Sequence, residues 1–338
     1  MLLSINIPTY NRSFYLDKNL SIIINQIRDN NLEKLVEINI SDNASTDSTQ
    51  DIVKCIIHEN ADLLIHYKRN DTNLGPDANY IQTMHMASAE FSILWGDDDF
   101  LKNGALQYIV EVIKTMDCSF FISNRTTIDG NGNLLAEQCF FDNNLSTRIF
   151  DFNQKDELIS YLSHVRSLGA CFTFISSIIY KTSIIKEMGE YDHCFDGTYY
   201  SFLYYWWGWL LKGNKICYLN KSYLYCTTAG KLNSCTFGTG IDRVLVDFKG
   251  FSKIADYFFS DKFYSTRFKS LVLYDCDEYS LLQLYYQDPQ RFTKEILPYL
   301  SEFGWDKYKI SRLLSFTSKK RLAKILVKMV VKSFFKRT

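Results

Sequence analysis

Over its first 125 residues the chain switches repeatedly between two hydrophobic periods, and that alternation restricts the fold more than any other feature. "LLSINI" is a continuous apolar run of strand length, and "SFYLDKNLSIIINQI" then places apolar residues at helical spacing. "LVEINIS" predicts a second strand, followed by a helix beginning near Asp47 in "STDSTQDIVKCIIHE". "LIHYKRN" predicts a third strand, and "GPDANYIQTMHMASAE" a third helix with Pro76 in its first turn. "FSILW", the helix "GALQYIVEVIKTM" and the strand "SFFISN" complete the series. Strands alternating with helices predict an α/β fold, a mostly parallel sheet with helices on both faces.

Sheets of that kind bind ligands beyond the carboxyl ends of their strands. The unusual polar residues of this chain fall there: "PTYNR", "SDNASTD", "RNDTNLG" and "GDDD", one after each of the first four strands. Asp97, Asp98 and Asp99 stand in a row after the fourth. At roughly 6 Å spacing and an effective dielectric of about 20, each neighbouring pair repels by about 3 kcal/mol. An acid in front of "FLKNGALQYIV" favours a helix N-terminus, which accounts for one aspartate and not for three. A divalent cation would account for the set, since Mg²⁺ or Mn²⁺ held by one or two carboxylates completes its shell with water and substrate phosphates. Asp47 or Ser45 reads as a helix cap and Asn43 as a turn residue. Asp42, at the strand end itself, reads as an acceptor of hydrogen bonds from a base or ribose. Gly75 permits close approach of the backbone to a ligand, and the helix behind it can favour phosphate. Neither G-x-G-x-x-G nor G-x-x-x-x-G-K-[ST] occurs, which disfavours dinucleotide binding and a P-loop.

Taken together and in this order, "LLSINIPTYNRSFYLDKNL", "INISDNASTDST", "RNDTNLGPDANY" and "SILWGDDDFLKNGAL" resemble the family 2 glycosyltransferases of GT-A fold, over about residues 2–115. Within that family the resemblance runs to bacterial enzymes that build O-antigen or capsule repeat units, abequosyltransferase-like proteins among them. It implies that Pro8, Thr9, Tyr10 and Asp42 hold the base and ribose of a nucleotide-sugar, and that Asn73, Gly75 and Asn79 line the donor. It implies that Asp97 faces the ribose or the metal, that Asp98 bridges the metal to the diphosphate, and that Asp99 supports the cluster. The cofactor implied is Mn²⁺ or Mg²⁺, the activity a hexosyl or deoxyhexosyl transfer, and the acceptor a lipid-linked oligosaccharide.

The second half departs from the family. Inverting members carry an acidic pair on a helix after a "G-x-[FY]-D-x-x-F" element; "GEYDHCF" matches the element at 189–195, but "TYYSFLYYWWGWLLKG" behind it has no acid. The nearest candidates for the base are then Asp192 and Asp196, with His193 between them; Asp196 is preferred, since Asp192 by its place in the motif is more often a turn residue. The aromatic run itself reads as a buried helix or a pocket wall. "TIDGNGNLL" predicts a hairpin, "DELISYLSH" a short helix and "ACFTFISSIIYK" a long strand. The expected organisation is a nucleotide-sugar-binding half over 1–125, an acceptor-binding half of the same domain over 126–235, and a helical region over 236–338.

Composition adds exclusions. Lys and Arg balance Asp and Glu at 38 each, so no nucleic-acid partner is expected. Nine scattered cysteines without C-x-x-C argue against a disulfide framework or zinc site. No signal peptide and no run long enough to span a membrane is read from the chain, which predicts a cytoplasmic location. The C-terminal "SKKRLAKILVKMVVKSFFKRT" has eight basic residues and no acid, with Lys320, Lys324, Lys328, Lys332 and Lys336 at every fourth position. Residues 319–337 are therefore expected to lie as an amphipathic helix on an anionic membrane, peripheral at the cytoplasmic face of the inner membrane. A nucleotidyltransferase would need a Gly-rich basic loop where "PTYNR" stands. The remaining alternative is a non-catalytic glycan- or partner-binding protein on a degenerate transferase fold.

Overall fold

A computed structural model describes residues 1–154, 156–227 and 240–315, and the chain divides into two compact units, Met1–Thr236 and Phe237–Thr338. The first unit begins with β1 (Leu3–Thr9), α1 (Ser13–Asp29), β2 (Val36–Asp42), α2 (Thr49–Glu59), β3 (Ile65–Arg69), α3 (Pro76–His85) and β4 (Phe91–Leu94). It continues with β5 (Asp99–Leu101), α4 (Ala105–Thr115), β6 (Phe120–Ser123), β7 (Arg125–Ile128), β8 (Leu134–Gln138), β9 (Arg148–Asp151) and α5 (Glu157–His164). It closes with β10 (Ile178–Lys181), α6 (Ser183–Met188), α7 (Leu203–Leu210), β11 (Lys215–Leu219) and β12 (Leu224–Thr227).

The large sheet has the order β3-β2-β1-β4-β10-β6-β11-β9, and β5-β12-β7-β8 form a small second one. β1 pairs in parallel with β2 and β4, and β2 with β3, as the alternation predicts. β6 does not follow β4 directly, because β10 enters antiparallel between them.

The two faces of the large sheet differ in chemistry. In β1, Leu3, Ile5 and Ile7 join the apolar core, in register with Val36, Ile38 and Ile40 of β2. Leu16, Leu20, Ile23 and Ile27 of α1, spaced at helical period, pack into that core with Val53 of α2 and Ile109 of α4. The alternate residues Ser4 and Asn6 pair with Glu37 and Asn39, and Ser4 also with Ser92 of β4. All of these are buried, on the face where α3 lies. A helix that covers such a surface must bring polar groups of its own. Asn79 donates to the Ser41 carbonyl at 3.1 Å and accepts from its hydroxyl at 2.7 Å, and Gln82 reaches the same hydroxyl.

The expected hairpin forms as β7 and β8, and the expected short helix as α5. The third helix stops at His85, before "MASAE". "ACFTFISSIIYK" is not one long strand: a 3₁₀ turn at Leu168–Cys171, Phe172 at a φ of 70° and a second turn at Ile175–Ser177 leave only Ile178–Lys181 extended. Gly169 sits so close to the ring of Phe140 that a Cβ would lie 2.3 Å from it, which pins the first turn. The aromatic run forms α7, buried at every residue, with Trp206 against Phe120, Phe172, Tyr180 and Phe202. It is core.

In the second unit α8 (Gly240–Phe258) buries Leu245, Phe248, Phe251 and Ile254 along one stripe. Its neighbours are α9 (Lys262–Ser270), α10 (Glu278–Gln287), α11 (Pro289–Arg291), α12 (Leu297–Glu302) and α13 (Lys307–Ser315). The nearly buried Lys269 ammonium meets Asp256 and Glu302 at 2.6 and 2.5 Å. Among the described residues no helix is long and apolar enough to cross a membrane. The basic segment 319–337 lies outside the described residues.

Candidate active site

The four polar loops are bonded to one another. After β1, Asn11, at a φ of 53°, donates its N–H to the Ser45 hydroxyl and accepts from the Thr46 N–H, which joins the first loop to the second. Asp47 bridges the helix starts behind them, accepting from Ser13 at 3.0 Å and from Thr49. Burial works to raise the Asp47 carboxyl, but hydrogen bonds from Thr49 and Ser13 outweigh it and hold it below the usual range. Between the second and third loops the knot is Asn43, which donates to Asn73 Oδ1 and the Gly75 carbonyl and accepts from Asn70 and the Leu74 N–H. Gly75 itself, at a φ of 83°, is the residue before α3, a backbone that favours glycine. Pro76 opens the helix, as read from the sequence.

The fourth loop meets the first. Thr9 donates to Asp97 Oδ2 at 2.7 Å, and the Arg12 guanidinium stands 3.5 Å from Asp98. Asn19 of α1 donates to the carbonyls of Gly96 and Asp97, and its own oxygen accepts from Trp95 Nε1.

The three aspartates point three ways: Asp97 to Thr9, Asp98 to Arg12, and Asp99 to Ser176. Asp99 is nearly buried, starts β5, and shares Ser176 with the Gly96 N–H. Enclosed in this way, Asp99 braces the turn that carries the other two carboxyls. Gly96 is required by the same packing, since a Cβ there would sit 2.8 Å from Asp99 Oδ2. Among the described residues no three carboxyl, imidazole or thiol groups gather closely enough to cage a metal. Asp97 and Asp98 remain. Burial, and then the charge of Asp98, push the Asp97 carboxyl up to about 7, against the pull of Arg12 and Thr9. The two carboxyls lie where the first and fourth loops meet, and a divalent cation shared with substrate phosphates fits the pair.

The other predicted residues take distinct places. Pro8 is buried in β1 and Tyr10 is exposed at its end. Asp42 is fully enclosed, accepting from the Ser45 N–H at 2.8 Å and the Tyr67 hydroxyl at 2.7 Å, with Arg69 at 3.7 Å. A base or ribose would reach it only by replacing one of these partners. Asn73 and Asn79 act on the loop and sheet as described. Asp192 accepts from the Cys194 N–H and caps the short turn His193–Phe195, as its place in the motif suggests. The Asp196 carboxylate is 55% exposed and meets His193 Nδ1 at 3.1 Å.

Sequence reasoning passed over Arg12, Ser176 and Tyr80. Arg12 is the one basic residue of "PTYNR" and was legible there. Ser176 lies inside a run that reads as strand, so nothing local marks it. The Tyr80 hydroxyl is held protonated by burial and by the charges of Asp77, Asp97 and Asp98. A cleft of about 1030 Å³ lies at the other end of α3, lined by Met84, His85, Lys181, Lys186, Tyr191 and Tyr205 among others. It holds none of the residues predicted to line a donor.

Residues 4–177 match the family model described as glycosyl transferase family 2. The chain belongs to that family. It is a glycosyltransferase. Over its whole length it is 28% identical to abequosyltransferase RfbV of Salmonella typhimurium LT2, covering 99% of that protein. Over 135 residues, 40% of this chain and 41% of the relative, it is 30% identical to the GalNAc(5)-diNAcBac-PP-undecaprenol beta-1,3-glucosyltransferase of Campylobacter jejuni. Its fold is similar to that of S. aureus TarS 1-349 in complex with UDP-GlcNAc, with a TM-score of 0.61 at 17% identity over 90% of this chain and 82% of that one. The family 2 fold thus accounts for the parallel strands and the loops at their carboxyl ends.

Proposed function

We propose that this family 2 glycosyltransferase moves a hexose or deoxyhexose from a nucleoside-diphosphate donor, bound across the loops after β1 to β4, to a lipid-linked glycan of a bacterial surface polysaccharide. The observation that carries the donor assignment is the pair Asp97 and Asp98 where the first and fourth loops meet, one bonded to Thr9 and one beside Arg12. Tyr10 is exposed where a base can stack on it, and Gly75 opens the backbone at the start of α3. Arg12 can take a phosphate oxygen in place of Asp98. Asp98, with Asp97, would hold Mn²⁺ or Mg²⁺. When bound, the ion supplies charge neutralisation for the diphosphate leaving group.

Asp196 is the proposed base toward the acceptor hydroxyl. Its carboxylate is exposed, it follows a capped turn, and His193 orients it. The lipid-linked acceptor is supported by what the Campylobacter jejuni relative is named for. The basic segment 319–337 would keep the enzyme at the anionic cytoplasmic leaflet where such acceptors are reached.

The test is thermal stabilisation by UDP, CDP, GDP and dTDP, each with and without Mn²⁺, on the wild type and Asp98→Ala. Ligands that bind the native state raise Tm by mass action. One diphosphate that shifts the wild type only with metal, and the variant hardly at all, identifies the nucleotide. No shift with any of the four would overturn the donor assignment.

A further inference from the structure

We propose that Asp77 is a positioning residue: it clasps the backbone of residues 197–201 and so fixes Asp196 beside the donor edge of the sheet. The proposal rests on the function proposed above.

Asp77 stands in the first turn of α3 and is only 6% exposed. Its Oδ2 accepts the N–H groups of Gly197 and Tyr199 and its Oδ1 that of Ser201, all at 3.0 Å. The Ser201 hydroxyl returns a bond to the Asp77 carbonyl at 3.2 Å. Amides two apart can converge on one carboxylate because the backbone alternates: Gly197 has a φ of 75° and Tyr199 of 63°, with Thr198 and Tyr200 on the ordinary side. Such alternation turns successive N–H groups inward into an anion-holding concavity. A bulky residue rarely adopts a positive φ, so Tyr199 keeps it only while something holds the loop.

Burial works against a charged carboxyl at Asp77, and the amides of Ser201, Tyr199 and Gly197 work for it. The carboxylate is thus spent on this one loop. The helix that carries it is also the helix of the donor edge, tied through Gly75 to Asn43 and through Asn79 to Ser41. Asp196 lies between two fixed points, the turn capped by Asp192 before it and the clasp of Asp77 after it. Its exposed carboxylate meets His193 of the same turn, so its position follows from the backbone on either side.

The test uses the full chain with Asp77→Asn, which keeps shape and one acceptor, and Asp77→Ala. Three readouts are taken: hydrogen exchange of the amides at 197, 199 and 201, affinity for the Mn²⁺–nucleoside diphosphate chosen by the panel, and hydrolysis of CDP-, dTDP-, GDP- and UDP-hexoses. The expected result for Asp77→Asn is faster exchange at the three amides, nucleotide affinity within about twofold, and a kcat at least tenfold lower. An unchanged kcat with loosened amides overturns the proposal, as does equal loss of affinity and kcat, which would mark a structural role. A wild type that neither binds a nucleotide nor hydrolyses any donor overturns the proposed function and this inference together. A competent wild type with a fully active Asp77→Asn overturns this inference alone.

Discussion

The first unit is held together in two different ways along its chain. From Leu3 to Leu101 the loop edge is a lattice of single polar side chains bonded to neighbouring backbone, as with Asn43, Asp47 and Asn79. From Phe120 to Tyr218 the same sheet is backed by packed rings, Phe141 against Phe150 and Tyr218, Trp206 against Phe120 and Phe202. A polar lattice fixes a loop to within a hydrogen bond but adds little net stability per bond, about 1 kcal/mol. Rings bury area and resist unfolding but fix no functional group. Function should therefore fail first at the lattice, and stability first among the rings.

Trp206→Ala should have the largest effect on stability, about 3–5 kcal/mol, read as a Tm many degrees lower with nucleotide affinity kept in the folded fraction. Affinity lost before Tm would break the contrast. Asp98→Ala should do the reverse: about 100-fold weaker Mn²⁺–nucleotide binding, near 2.7 kcal/mol, with the ligand-free Tm almost unmoved. Isothermal titration calorimetry and a melt on the same preparation check both. Ser176→Ala tests the seam, where a hydroxyl from the second region serves Asp99 and the Gly96 N–H of the first. It should cost about 1–3 kcal/mol of stability by urea unfolding and shift nucleotide affinity less than threefold.

The smallest effect sharpens the contrast through pH. Asp97 is raised to about 7, facing Asp98 and Arg12. The folded chain keeps a proton that the unfolded chain gives up near the ordinary carboxyl value, so the ligand-free protein loses stability as pH rises from about 4 to 7. Cation binding needs the charged form and runs the other way. Mn²⁺–nucleotide affinity should rise up to about tenfold between pH 6 and 8, and Asp97→Asn should remove that part of the slope. A slope unchanged in the variant would assign it elsewhere.

The same contrast explains what could be read in advance. The strand ends and their polar loops were legible because each depends on a local pattern, an apolar run followed by Asn, Asp or Gly at a strand end. The family match and the sheet order of β1 to β4 agree with that reading. The entry of β10 between β4 and β6 was not legible, since an apolar strand carries no mark of its neighbours. Nor was the break in "ACFTFISSIIYK", where β-branched and aromatic residues promise a strand and the packing of Gly169 on Phe140 imposes a turn. Ser176 and the clasp of Asp77 depend on partners 77 and 120 to 124 residues away. No window of sequence contains both ends.

Asn43 spends its amide on Asn73 and Gly75 and its oxygen on Asn70 and Leu74. The stretches 42–47 and 70–75 are thereby cut to one length, like two halves of a hinge. An insertion in either would open a gap that the other cannot follow, so shuffling between relatives should carry the two stretches together. Lengthening is better tolerated at the β7–β8 hairpin, whose tip around Asn131 is, among the described residues, bonded within itself.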